Sequence, residues 1–216
     1  MLKTISLSSI FLFALLFAYS CRRNNTGDNS SNKQQTTSSA NRAISDTIKA
    51  NLAANDKNVQ ILEDGTVMLS TNGIVENLEN TRKYSTFLSL LEKSGLYKAL
   101  SQKGPFTVFV PSNEALEKID KISMGKLMTP SGRPELEKIV KYHIIAGFLR
   151  VCDLTAGESI STIEGDQLVV IIENHKTRLM DGNGNMVDIT RPDILSKNGI
   201  MHLTSGVLMP KGISLF

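Results

Sequence analysis

Residues 106–116 read FTVFVPSNEAL, an apolar run that breaks at a proline into a polar stretch. Phe106, Val108 and Val110 alternate along it, so they share one face of a strand. Pro111 ends the run, because proline has no N–H to give to a ladder. Ser112 is a strong N-cap, and Glu114 falls in the turn after it, where the helix dipole favours an anion. The stretch is therefore a strand, a sharp corner and a helix.

On the upstream side, Ser85 or Thr86 is placed to cap a helix carrying Phe87, Leu88 and Leu91, and Gly95 stands where a helix takes its left-handed stop. On the downstream side, Pro134 opens a second helix. Leu136, Ile139, Val140 and His143 lie on it at i, i+3, i+4 and i+7, one inward stripe, with Gly147 as the expected stop. Beyond it the pattern becomes strand-like at 168–172, 178–180, 186–189 and 200–209. Helices first and strands later, without regular βαβ alternation, predict an α+β domain over residues 73–212.

Four blocks in this span carry a resemblance. Phe106 to Leu116 resembles the first signature block of the fasciclin (FAS1, βig-h3) domain, and Tyr142-His143 with Ile144, Ile145 and Gly147 resembles its Tyr-His segment. Asn198-Gly199-Ile200-Met201-His202-Leu203 with Val207 to Pro210 resembles its second block, and Ile74 to Leu96 its first helices. The second block departs from the family pattern at Ser205, where an Asp is usual. The resemblance implies a wedge-shaped β-sandwich with helices packed on one side, adhesion or protein-interaction roles, no enzyme and no cofactor. It directs attention to Pro111, Asn113, Tyr142, His143, Asp193, Asn198, Gly199 and His202 as structural or interaction residues.

The N-terminus is processing information. MLKTISLSSIFLFALLFAYSC (1–21) has one lysine, an apolar run from Ile10 to Ala18 too short to span a bilayer, and small residues behind it. Ala18-Tyr19-Ser20-Cys21 resembles a bacterial lipobox, with Ala where Leu is usual, so Cys21 is the expected lipidation site. Residues 22–43 are polar with almost no aliphatics and read as a flexible tether. Arg22 and Arg23 suit anionic headgroups. The acidic run that resembles a surface-export signal is missing, which favours a periplasm-facing outer-membrane lipoprotein over a surface-exposed one. Residues 44–72 are left open between tether and domain, with Glu63-Asp64-Gly65 between two apolar runs as a hairpin signal.

Composition narrows the functions. The chain carries 24 basic and 21 acidic residues, and losing Lys3 with the leader leaves about +2, so no electrostatic case for nucleic acid exists. The three histidines never stand at i, i+4, and the spacing offers no metal site. Asp181-Gly-Asn-Gly-Asn185 fails as a calcium loop, because Met186 stands where glycine and Pro192 where glutamate is needed, and it reads as a hairpin turn. His175, between Asn174 and Lys176, also reads as a turn residue.

His143 is expected to be buried and to hydrogen-bond across to the Pro111–Asn113 corner. Asp193-Ile194 resembles a pair tied to integrin contact in animal relatives, but Asp193 reads first as a turn or cap residue. Cys152, behind Leu149-Arg150-Val151, reads as a buried or half-buried strand position. Residues 121–133 offer Met124, Leu127 and Met128 either as a contact loop or as a short helix tucked onto the core. These expectations converge on a membrane-anchored, non-enzymatic adhesion or interaction module. Its partners would be an envelope or extracellular protein or a glycan, besides the membrane itself. The alternative is a lipoprotein that captures a small solute, polymer or glycan in a groove of the same fold.

Overall fold

A computed structural model describes residues 57–215. The expected leader 1–21 with Cys21, the expected tether 22–43 and residues 44–56 lie outside the described residues.

The chain enters as a hairpin, β1 (Val59–Ile61) and β2 (Val67–Leu69), turned at Asp64-Gly65. Helices α1 (Ile74–Glu79), α2 (Ser85–Ser94) and α3 (Tyr97–Leu100) follow. β3 (Phe106–Pro111) leads into α4 (Asn113–Leu116), α5 (Lys121–Leu127) and α6 (Arg133–Tyr142). The strands β4 (Ile144–Ala146), β5 (Ser159–Ser161), β6 (Gln167–Glu173), β7 (Lys176–Met180), β8 (Met186–Ser196) and β9 (Gly199–Thr204) complete the fold, with a 3-10 turn at Val151–Asp153.

One seven-stranded sheet runs in the order β4-β3-β9-β8-β7-β6-β5. The Ile163 amide donates to the Ile144 carbonyl at 2.9 Å, so the two sheet edges meet and the sheet closes nearly into a barrel. The expected sandwich is thus one continuous sheet bent over on itself. Phe109, Tyr142, Leu168, Val170 and Leu179 fill its interior. A second, larger core lies between the sheet and the helices, built on Phe87, Leu91, Val108, Val110, Leu136, Ile139 and Met201. The α+β class follows from these two layers.

β3 and β9 pair in parallel from Phe106↔Gly199 to Pro111↔Thr204. Both are covered on their two faces, so they read as nearly continuous apolar runs. Val108 and Val110 face the helices, as the alternation predicts, while Phe109 faces the barrel. Gly95 stops α2 at φ 85, the left-handed region that favours glycine.

Three readings need correction. Gly147 does not stop α6; that helix ends at Tyr142 with His143 as C-cap, and Gly147 follows β4. Cys152 is exposed in the 3-10 turn, where strand alternation does not apply. Of the two readings of residues 121–133, the short helix on the core holds over 121–127, α5: Leu127 is buried, and Met124 and Met128 pack half-buried on the core. The strand expected over 200–209 ends at Thr204, although Val207, Leu208 and Met209 stay buried as irregular chain.

Candidate functional site

Most of the family-block residues fall into three clasps that join distant parts of the chain. The first is the corner after β3. Ser112 Oγ accepts from the Ala115 amide, so the predicted N-cap forms. Asn113 reaches across to α2: its Oδ1 accepts from the Thr86 amide at 3.0 Å, and its Nδ2 donates to the Arg82 carbonyl at 2.8 Å. Neither Ser85 nor Thr86 caps that helix with its own side chain; the capping oxygen is borrowed from Asn113, 27 residues away.

The second clasp is His143, which is 1% exposed. It does not bond the Pro111–Asn113 corner. The Leu208 amide donates to its Nε2 at 3.1 Å, so Nε2 carries the lone pair and Nδ1–H donates to the Ile139 carbonyl at 2.8 Å. The Phe87 ring lies 5.5 Å from the imidazole, centroid to centroid. Burial lowers the His143 pKa to about 4, against smaller raising effects of the Ile139 carbonyl and Asp181. The ring is neutral at pH 7. Beside it, Tyr142 sends its hydroxyl into the barrel to donate to the Gln167 carbonyl at 2.7 Å, and burial pushes that phenol's pKa up.

The third clasp joins His202 and Asp193. The Asp193 amide donates to His202 Nδ1 at 3.2 Å, so Nε2–H donates to the Leu149 carbonyl at 2.8 Å. This is the opposite tautomer from His143. His202 stacks on Phe109, its neighbour across the parallel pair, with centroids 5.4 Å apart. Burial is the largest effect on its pKa and lowers it, while the Leu149 carbonyl and Asp193 act to raise it. Asp193 sits at φ 59 inside the irregular middle of β8, a conformation aspartate tolerates. Its carboxylate accepts from the Val151 amide at 2.9 Å and so caps the 3-10 turn, the cap role its sequence context suggests.

Asn198 ties the strand bundle to the helices, and Gly199 lies close against β3. Asn198 Oδ1 accepts from the Ile74 amide at the start of α1, and Nδ2 donates to the Leu100 and Gln102 carbonyls beyond α3. A Cβ on Gly199 would sit 2.0 Å from the Phe106 carbonyl oxygen, which is why only glycine fits. Ser205, the departure from the family pattern, still serves the backbone: its Oγ accepts from the Asp188 amide at 3.1 Å.

Sequence reasoning missed Asp181 as more than a turn residue. The turn joins β7 to β8 as expected, but the Asp181 carboxylate is buried and accepts from the amides of Asn183, Asn185 and Met209. Only the Asx-turn part of this was legible, since Met209 is 28 residues away. Among the described residues, no group of three or more His, Cys, Asp or Glu is placed to hold a metal ion.

The surface holds a cleft of about 270 Å³ between the hairpin, the corner and β8–β9. Lys83, Tyr84, Glu114 and Arg191 line it with Asp64. Burial, then Asp64, Glu114 and Glu63, push the Tyr84 phenol up to about 12. No helix among the described residues is long and apolar enough to cross a membrane.

Comparison with known proteins agrees with this geometry. The profile of the fasciclin domain matches residues 82–210. Protein sll1483 of Synechocystis is 28% identical over 137 residues, covering 63% of this chain and 73% of that protein. Human stabilin-1 is 36% identical over 139 residues, but the match spans only 5% of its length. The pig transforming growth factor-beta-induced protein ig-h3 is 30% identical over 150 residues, 69% of this chain and 21% of that one. Among solved structures, a FAS1 domain pair from the insect cell adhesion molecule fasciclin I superposes with a TM-score of 0.51 at 20% identity, over 64% of this chain and 51% of that one. The chain belongs to the fasciclin-domain family.

Proposed function

We propose that this chain is a lipid-anchored, non-enzymatic adhesion or protein-interaction module of a bacterial cell envelope. One observation carries the reading: the polar side chains of the family blocks are engaged by the main chain of the fold itself. His143 and His202 each hold one backbone N–H and one backbone C=O. An imidazole with both nitrogens held this way has neither a proton nor a lone pair to offer a substrate. Recognition then falls to the outer surface, as in a protein whose family includes a cell adhesion molecule.

Anchoring rests on the lipobox-like Ala18–Cys21 and the polar stretch behind it. Acylated Cys21 would hold the domain on the outer membrane, Arg22 and Arg23 would meet anionic headgroups, and the domain would face the periplasm. The partner is an envelope or extracellular protein or a glycan. Capture of a small ligand or glycan is the second reading, favoured by the charged cleft beside Tyr84. Surface adhesion is the stronger reading, because the polar side chains of the family blocks are held by the main chain of the fold rather than turned into a groove.

In-cell photo-crosslinking of the full-length chain, with probes spread over the domain surface, tests this. One or two protein partners recurring from neighbouring probe sites support adhesion. Glycan or small-molecule adducts confined to probes around Tyr84 and Arg191 move the assignment to the ligand-binding reading.

A further inference from the structure

Tyr84 carries a hydroxyl that the fold does not use. The residue is 4% exposed, and its ring packs in the core between the sheet and the helices. Buried tyrosines normally give their hydroxyl a partner, as Tyr142 does at the Gln167 carbonyl. The Tyr84 hydroxyl makes no hydrogen bond among the described residues. Thr81 Oγ1 is the one fully enclosed side-chain atom without a partner among them, so the Tyr84 oxygen is not enclosed. It is the part of the residue that reaches the cleft between the hairpin, the corner and β8–β9.

The cleft around this oxygen carries both signs of charge. Glu63 and Asp64 of the hairpin turn and Glu114 of the corner line it, and all three act on the phenol. Their field is negative at the hydroxyl and favours a cation beside it. Lys83 also lines the cleft, within electrostatic reach of Asp64 and Glu114, and offsets part of that field. Arg191 comes from the β8 side. It stands between two shifts of register, paired with Leu203, and irregularities of this kind re-aim a side chain. Its guanidinium makes no ion pair or hydrogen bond among the described residues.

We propose that this cleft binds a small zwitterion, an amino acid or short peptide with a free ammonium and a free carboxylate. The ammonium lies against Asp64 and Glu114, and the carboxylate takes the planar donor fork of Arg191. Tyr84 Oη, a donor and an acceptor at once, accepts from the ammonium and donates to the carboxylate. A simple anion would face the three carboxylates, and a simple cation would face Arg191 and Lys83, so each half alone is rejected by one wall. The site deepens the ligand-capture reading and rests on it; adhesion through the outer surface does not depend on it.

The test is isothermal titration calorimetry of the full-length chain in mild detergent. The probes are glycine, diglycine and triglycine, with methylammonium and acetate as the two halves. At least one glycine compound binds about tenfold or more tighter than either half, and the tightest of the three gives the separation of the two charges. Tyr84→Phe weakens that probe by about fivefold at unchanged Tm, because only a ligand misses the hydroxyl. Arg191→Gln removes the preference for the zwitterion over methylammonium. Halves that bind as well as the glycine compounds, or a Tyr84→Phe protein that binds as wild type, overturn the proposal. A clear fall in Tm for Tyr84→Phe also overturns it and assigns the hydroxyl to the fold. Small-molecule adducts at crosslinking probes around Tyr84, with no glycine compound bound, overturn this proposal and keep the ligand-capture reading; the absence of both overturns both.

Discussion

The Leu208 amide donates to His143 Nε2 at 3.1 Å, joining the end of α6 to irregular chain 65 residues later. This bond pins the buried 207–209 segment, which has no strand partner of its own, to the helix layer. Replacing His143 with alanine leaves the Leu208 amide unpaired and opens a void beside Phe87. We expect a loss of about 3 kcal/mol, roughly 6–12 °C in Tm for a domain of this size. Differential scanning calorimetry measures it; a shift below 2 °C contradicts it.

The same histidine sets an acid limit. Its folded pKa, about 4, lies below the unfolded value near 6.5. The unfolded state therefore binds more protons between these values, and stability falls as pH drops from 6.5 toward 4. His143 contributes about 3 kcal/mol to that fall, and His202 adds in the same direction. Asp64, Asp120, Glu114 and Glu137 have lowered pKa values, so their losses come at lower pH, below the ordinary carboxylate range. Urea titrations at pH 7, 5.5 and 4.5 check the histidine window. A flat ΔG across them rejects it.

Asn113→Ala removes the capping acceptor of α2 and two donors to the Arg82–Ser85 turn. It should cost about 1–2 kcal/mol by chemical denaturation. Asn113→Asp keeps the acceptor and loses the donors, so it should fall between wild type and alanine.

Gly199→Ala forces a methyl group against the Phe106 carbonyl in the central parallel pair. The strands must separate or the residue must move, and we expect at least about 3 kcal/mol of destabilisation or failure to fold. A soluble protein of wild-type Tm contradicts this.

Local chemistry made much of the fold legible. Strand, proline, serine cap and short helix over 106–116 follow from neighbours in sequence, as do the Gly95 stop and the Asp64-Gly65 turn. His143 was legible as inward because its stripe repeats along α6. Its partner was not, because Leu208 reaches it through tertiary folding alone. β4 and β5 are three residues each and exist only through their pairing, so periodicity could not announce them. β8 hides behind its own irregularity, where Thr190 to Asp193 break the alternation. Cys152 misled through its apolar neighbours Leu149 and Val151, which pack on the barrel core, whereas Cys152 itself points outward from a 3-10 turn where strand alternation does not apply.

On the proposed reading, the family-block side chains build the fold and the outer surface does the binding. Partner capture by the full-length chain, measured beside the folded fraction, tests it most directly. For Asn113→Ala and His143→Ala, capture should fall only in proportion to the folded fraction lost. Substitutions at the surface sites that crosslink should abolish capture at unchanged Tm. A fully folded His143→Ala protein that captures nothing would contradict the account and place His143 in the recognition site itself.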